Sequence, residues 1–135
     1  MTPRVPKPQT RVRIPLPDDA TAPMVARRTL RKLLRGWRLP ALVEPVVLAA
    51  SELVTNAFRH GAPPVRLTVR RSADRVSIAV ADSSDDRPHV AAPATAADES
   101  GRGMAIVDLV ASDTGMRAEP AGKVVWAGFD IDRGE

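Results

Sequence analysis

Glu52 and Asn56 stand four residues apart in the run Leu48-Ala49-Ala50-Ser51-Glu52-Leu53-Val54-Thr55-Asn56-Ala57, which is otherwise nearly apolar. On a helix turning about 100° per residue they lie about 40° from each other. Val43, Val46, Ala50, Leu53, Val54 and Ala57 share a different, broader face of that helix, which reads as its core side. Spacing alone also fits a solvated surface pair. Two features point away from that reading. Asn is a poor helix former, because its side chain competes for backbone hydrogen bonds, so it is a costly choice in mid-helix. The apolar neighbours also imply a partly enclosed position. A carboxylate beside a carboxamide oxygen suits a hard cation such as Mg²⁺, or a hydroxyl held for attack. His60, one turn further on, reads either as a phosphate contact or as a helix-end histidine facing the dipole.

Other candidates follow along the chain. Asp82 ends the run Val76-Ser77-Ile78-Ala79-Val80-Ala81, a buried-looking strand. There it could accept a hydrogen bond from a ligand amino group, or simply start a loop. Gly101-Arg102-Gly103 is expected just ahead of a helix beginning at Met104. Glycines there allow close backbone approach, and a helix start offers unpaired N–H groups and the positive dipole end to a phosphate. The plain alternative is flexible punctuation. Gly122 and Lys123 open the last strand and read most simply as a polar strand start. Several chemistries are excluded. Two histidines and no cysteine leave no zinc or thiolate set. There is no GxSxG elbow and no GxxxxGK[ST] phosphate loop.

The elements that must position these residues come in the order β-α-α-β-β-loop-α-β-β. Residues 1–9 hold three prolines and read as a disordered tail before a single domain over 10–135. Residues 10–16 alternate as a strand, with Pro15 marking an edge or an end. Asp18, Asp19 and Thr21 are candidate caps for a helix with Pro23 in its first turn. Ala26, Leu30, Leu33 and Trp37 form its apolar stripe. A second helix spans about Ala41 to Arg59, ended by Gly61 and Pro63-Pro64. Strands at Val65–Arg70 and Arg75–Ala81 form a hairpin. The stretch Asp82 to Ser100 reads as a long loop. A third helix over Met104–Ala111 precedes strands at about Asp113–Ala118 and Lys123–Ile131. Strands paired in hairpins predict an α+β fold: a two-layer sandwich with a mixed, mostly antiparallel sheet and helices on one face.

Composition sets the outer limits. Net charge is +4, and residues 1–38 carry ten Lys/Arg against two Asp, whereas the remainder carries ten against fourteen acids. That basic segment raises a nucleic-acid reading for the first helix. The scarcity of aromatics, 3% of residues, argues against single-strand stacking. The same face could dock an acidic protein, with Arg27, Arg28, Arg31 and Arg35 as contacts. The N-terminus does not read as a signal peptide, and the apolar stretch Ala41–Ala50 is too short for a bilayer span. A cytoplasmic location with no membrane partner is expected.

Taken in order, Glu52-x-x-x-Asn56 with His60-Gly61, Asp82 at a strand end, Gly101-x-Gly103-Met104 at a helix and Gly122-Lys123 at a strand resemble the histidine-kinase-like ATPase superfamily, the GHKL or Bergerat fold. The run Ser51 to Ala57 with His60-Gly61 is similar to the N box of its small bacterial branch, that of the anti-sigma factor serine/threonine kinases. The resemblance covers about residues 10–131. It implies Mg-ATP as ligand, with Glu52 polarising an attacking hydroxyl and Asn56 holding Mg²⁺. It further implies Asp82 accepting the adenine amino group, with the remaining nucleotide contacts from His60, Gly101, Arg102, Gly103, Met104 and Lys123. The implied partners are a sigma factor and an anti-anti-sigma protein whose Ser or Thr receives phosphate, and the resemblance also allows a second copy in a homodimer. Ser84, Asp98 and Val124 depart from the family pattern of Gly, Gly and Thr, which bears on catalysis more than on binding. Three functions stay open: a kinase, a non-catalytic nucleotide-binding module that holds a partner, and, disfavoured, a nucleic-acid binder.

Overall fold

The computed structural model describes residues 9–84 and 99–131, with the backbone alone for 99–103. Most of the expected tail and the acids Asp85, Asp86 and Asp98 lie outside the described residues. The elements are β1 (Thr10–Ile14), α1 (Ala22–Gly36), α2 (Pro40–His60), β2 (Arg66–Arg71), β3 (Arg75–Asp82), α3 (Glu99–Val110), β4 (Asp113–Glu119) and β5 (Gly122–Asp130). The five strands form one sheet in the order β1-β2-β3-β5-β4. Every pair is antiparallel, so the parallel part allowed by a mixed sheet is absent among the described residues. β1 is an edge strand, and Pro15, which could not donate to a ladder, lies just past its end.

Alternation explains how the sheet is covered. Leu67, Val69, Val76, Ile78, Val80, Ala127 and Phe129 are buried and face the helices. Arg11, Arg13, Arg66 and Arg70 point to the opposite face and are exposed. α2 lies over the centre of the sheet, packed between α1 and α3. Eight of its residues are buried, Val43, Val46, Val47, Ala49, Ala50, Leu53, Val54 and Ala57. Each fully buried Val or Leu of this kind stabilises by about 1.5–3 kcal/mol. By length and composition α2 is also long and apolar enough to cross a bilayer, which Ala41–Ala50 taken alone concealed; here it is the core helix. Pro45, inside α2, leaves the Ala41 carbonyl without its helical donor. Ala41 is exposed, so water can satisfy that group.

Three sequence readings change. The inner stripe of α1 is Ala22, Ala26, Leu30 and Leu34, with Leu33 and Trp37 only half-buried. An i, i+4 row tracks α2 better than the i+3 step to Leu33. Trp37 lies past the end of α1 and carries the Arg71 guanidinium 5.4 Å from its ring centre. Thr21 stands at the N-cap without a side-chain cap bond. Instead Asp19 Oδ1 accepts from the Thr21 backbone N–H at 2.8 Å and from the Thr21 hydroxyl. Lastly, α3 begins at Glu99 rather than Met104.

Candidate functional site

Ser51 shows which way α2 is turned. Its hydroxyl accepts a hydrogen bond from Arg27 Nη1 of α1 at 2.8 Å. Two turns of α2 earlier on the same side, Arg31 Nη1 meets Glu44 Oε1 at 2.6 Å. At about 100° per residue, Asn56 lies about 140° round the helix from Ser51, on the flank toward α3, with Glu52 between them. Ala49, about 20° from Asn56 by the same geometry, is fully buried, so this flank is covered along part of its length. Glu52 and Asn56 are themselves half-buried. Neither has a hydrogen-bond or ion-pair partner among the described residues. The apolar neighbours thus do place the pair in a partly enclosed position.

Asp82 closes the site at the C-terminal end of α2. It is 5% exposed, the most buried acid among the described residues. Its Oδ1 accepts the Ser84 backbone N–H at 2.8 Å. Its Oδ2 lies 3.8 Å from Lys123 Nζ, because the β3–β5 register sets Asp82 directly opposite Lys123. The backbone of Ser83 donates to the Ala62 carbonyl at 2.8 Å, tying the end of β3 to the residues after α2. Gly61 makes this approach possible: a Cβ there would fall 2.5 Å from Asp82 Cγ and 2.6 Å from both Asp82 Oδ2 and the Ala57 carbonyl. Gly122, with φ +153°, packs where a Cβ would lie 1.8 Å from the Asp82 carbonyl. Both glycines are therefore structural conditions for placing Asp82.

The remaining candidates fall as follows. Gly101 and Gly103 lie within α3 rather than ahead of it. Gly101 is in the first turn, whose N–H groups have no intrahelical acceptor, while Gly103 is one step beyond it. The Arg102 side chain lies outside the described atoms. Met104 is half-buried and packs on the core. His60 is exposed in the last turn of α2, beside Arg59. That end carries the negative dipole, which suits a cationic side chain. Val124 departs from the family Thr, but strand alternation puts it on the sheet face opposite Asp82; the side chain beside Asp82 is Lys123. At Ser84 the contact to Asp82 comes from the backbone, which Ser supplies as well as Gly. Of the four arginines expected as docking contacts, Arg27 and Arg31 are engaged by α2, and Arg28 and Arg35 are exposed.

Two positions escaped sequence reasoning as site residues. Beyond their places in the His60-Gly61 and Gly122-Lys123 motifs, Gly61 read as a helix stop and Gly122 as a strand start. The signal for Gly61 was its place directly after His60; its reason is a carboxylate more than twenty residues away.

The antiparallel α+β sandwich thus carries a half-buried carboxylate and carboxamide on α2, a buried acid at the end of β3 and a glycine-containing start of α3. A family model described as "Histidine kinase-like ATPase domain" matches residues 16–129. The chain belongs to this family, and its domain is an ATP-binding one. No curated protein matches it. Among solved structures it is similar to the RsbU and RsbW domains of Rv1364c from Mycobacterium tuberculosis, with TM-score 0.68 and 19% identity. That match covers 96% of this chain and 34% of the other, so this chain spans about a third of that protein. The likeness shows a shared fold.

Proposed function

We propose that this chain is an ATP-dependent serine/threonine kinase of the anti-sigma type, which phosphorylates an anti-anti-sigma partner and controls transcription in the cytoplasm. The observation that carries the reading is the joint placement of Glu52, Asn56 and Asp82: two half-buried polar side chains on one flank of α2, and a buried acid at that helix's end. A protein titled for an RsbW domain shares the fold, and a sigma factor would be the second partner.

In this reading Asp82 accepts the adenine amino group, and the absent Cβ of Gly61 keeps Oδ2 within reach. The α3 start, with the Gly101 N–H, faces the phosphates. Among the described residues no group of three or more His, Asp or Glu side chains is placed to chelate a cation. The Asn56 carboxamide oxygen is a hard donor that fits a Mg²⁺ arriving with the nucleotide, since that ion keeps water and phosphate oxygens as most of its ligands. Bound there, Mg²⁺ would neutralise phosphate charge. Glu52 accepts the proton of the partner's Ser or Thr hydroxyl as that oxygen bonds to the γ-phosphorus. The bond to the β-phosphate oxygen breaks, and ADP leaves with the electron pair. Such transfer depends mainly on positioning and charge neutralisation.

Incubation with Mg-ATP and a candidate anti-anti-sigma protein tests the reading. Phosphate transfer to the partner, lost in Glu52→Gln while nucleotide still raises the Tm, is the expected result. Stabilisation by nucleotide without transfer in the native chain would leave the non-catalytic binding module instead. No shift of the Tm with millimolar Mg-ATP would remove both readings.

A further inference from the structure

We propose that Lys123 and Asp82 together form the base-reading pair of the site, and that this pair admits 6-oxo purine triphosphates as well as ATP. The inference rests on Asp82 being the base acceptor, as above. It concerns which bases the site takes.

A carboxylate alone offers only acceptors. It satisfies the 6-amino group of adenine, but it would meet the O6 of a 6-oxo purine as acceptor against acceptor. Sites built on one such polar contact reject the mismatched analogue by roughly 10⁴-fold or more. Here the carboxylate has a donor beside it. Lys123 faces Asp82 across the β3–β5 pair, and its Nζ lies 3.8 Å from Oδ2. The two side chains are 15% and 3% exposed, so solvent offers little competition. The separation is longer than a hydrogen bond, so the ammonium is close enough to compensate the buried charge without being locked onto it. Oδ1 already takes the Ser84 N–H, which leaves Oδ2, between Gly61 and Lys123, as the free acceptor.

An acceptor beside a three-proton donor matches both purine edges. Adenine gives its 6-amino N–H to Oδ2 and takes a Lys123 N–H at the neighbouring ring nitrogen. A 6-oxo purine gives its N1–H to Oδ2 and takes a Lys123 N–H at O6. Oδ2 accepts and Lys123 donates in both cases; the base moves along its edge by one position, and the flexible four-carbon lysine stem lets Nζ follow it. Val124 takes no part, because its side chain leaves on the other face of the sheet.

Inosine triphosphate isolates this effect, since it differs from ATP only at the 6-substituent and the N1 proton. Affinities of the full chain for Mg-ATP and Mg-ITP are to be measured by calorimetry for the native chain, Lys123→Thr and Lys123→Met, each variant checked first for an unchanged far-UV spectrum. The native chain is expected to bind the two nucleotides within about tenfold of each other. Both variants remove one bond from each nucleotide; ATP keeps its 6-amino bond to Oδ2 and should weaken by about tenfold, whereas ITP is left with O6 beside the carboxylate and no donor and should weaken by about 100-fold or more. Native ATP binding with ITP at least about 100-fold weaker would overturn the proposal and leave the base site standing. So would an ITP/ATP ratio unchanged in both variants, which would make Lys123 only a counter-charge for Asp82. Failure of both nucleotides to bind the native chain would overturn the base site itself.

Discussion

The two flanks of α2 have similar ingredients and opposite uses. Toward α1, Ser51 and Glu44 are both taken up by arginines. Toward α3, Glu52 and Asn56 are half-buried and have no partner among the described residues. Half-burying polar groups costs free energy unless hydrogen bonds offset it. The first flank meets that cost within the fold. The second leaves its groups available, which is the arrangement a ligand can complete. A polar residue's function on such a helix is therefore told by whether the neighbouring element answers it, and residue type does not decide it.

Substitutions on the two flanks should separate these uses. Asn56→Ala is expected to weaken Mg-ATP by about 10- to 100-fold, the worth of one strong polar contact, with the nucleotide-free Tm little changed. A drop in the nucleotide-free Tm with ATP affinity intact would reverse the assignment of the flanks. Gly61→Ala should lower stability by about 1–3 kcal/mol in urea titration, through overpacking against Asp82 and the Ala57 carbonyl. It should also displace the base acceptor, so ATP-induced stabilisation falls with it. Ser51→Ala on the tied flank should cost about 1 kcal/mol of stability and leave ATP affinity unaltered.

Smaller effects remain. Removing Glu44, whose partner Arg31 is itself partly exposed, should cost at most about 1 kcal/mol and disappear in high salt. At the start of α1, the hydrogen bonds from the Thr21 hydroxyl and backbone hold the Asp19 carboxyl below its ordinary 3.8. A depressed folded-state pKa contributes stability above the unfolded value and loses it as pH falls through the folded one. The Tm difference between the native chain and Asp19→Ala should therefore be constant from neutral pH to about 4 and close below it.

Local pattern told most of the fold and part of the site. The apolar face of α2, the hairpin alternation and the strand-ending place of Asp82 could be read directly, because each depends on spacing within one element. What could not be read depends on pairing between distant segments. Leu34 replaces Leu33 in the core because of where α2 lies. Arg27 and Arg31 are removed from the exposed basic face by partners on another helix. That Lys123 rather than Val124 meets Asp82 follows only from the register of β3 with β5. The start of α3 at Glu99 was hidden by two glycines, which reduce helix propensity without forbidding a first turn.

The β3–β5 pair also orders events in time. It joins the N-terminal strands β1, β2 and β3 to the C-terminal hairpin of β4 and β5, and its last pair, Asp82 with Lys123, closes a loop of about 40 residues. Closing it costs loop entropy that hairpins do not meet, so this pairing is expected to form after the local ones. Asp82 and Lys123, the pair proposed to read the base, face each other only when it has formed. Nucleotide binding would then act as a latch on the joint between the two parts of the chain, and a bound purine should slow their separation more than it slows opening within either one.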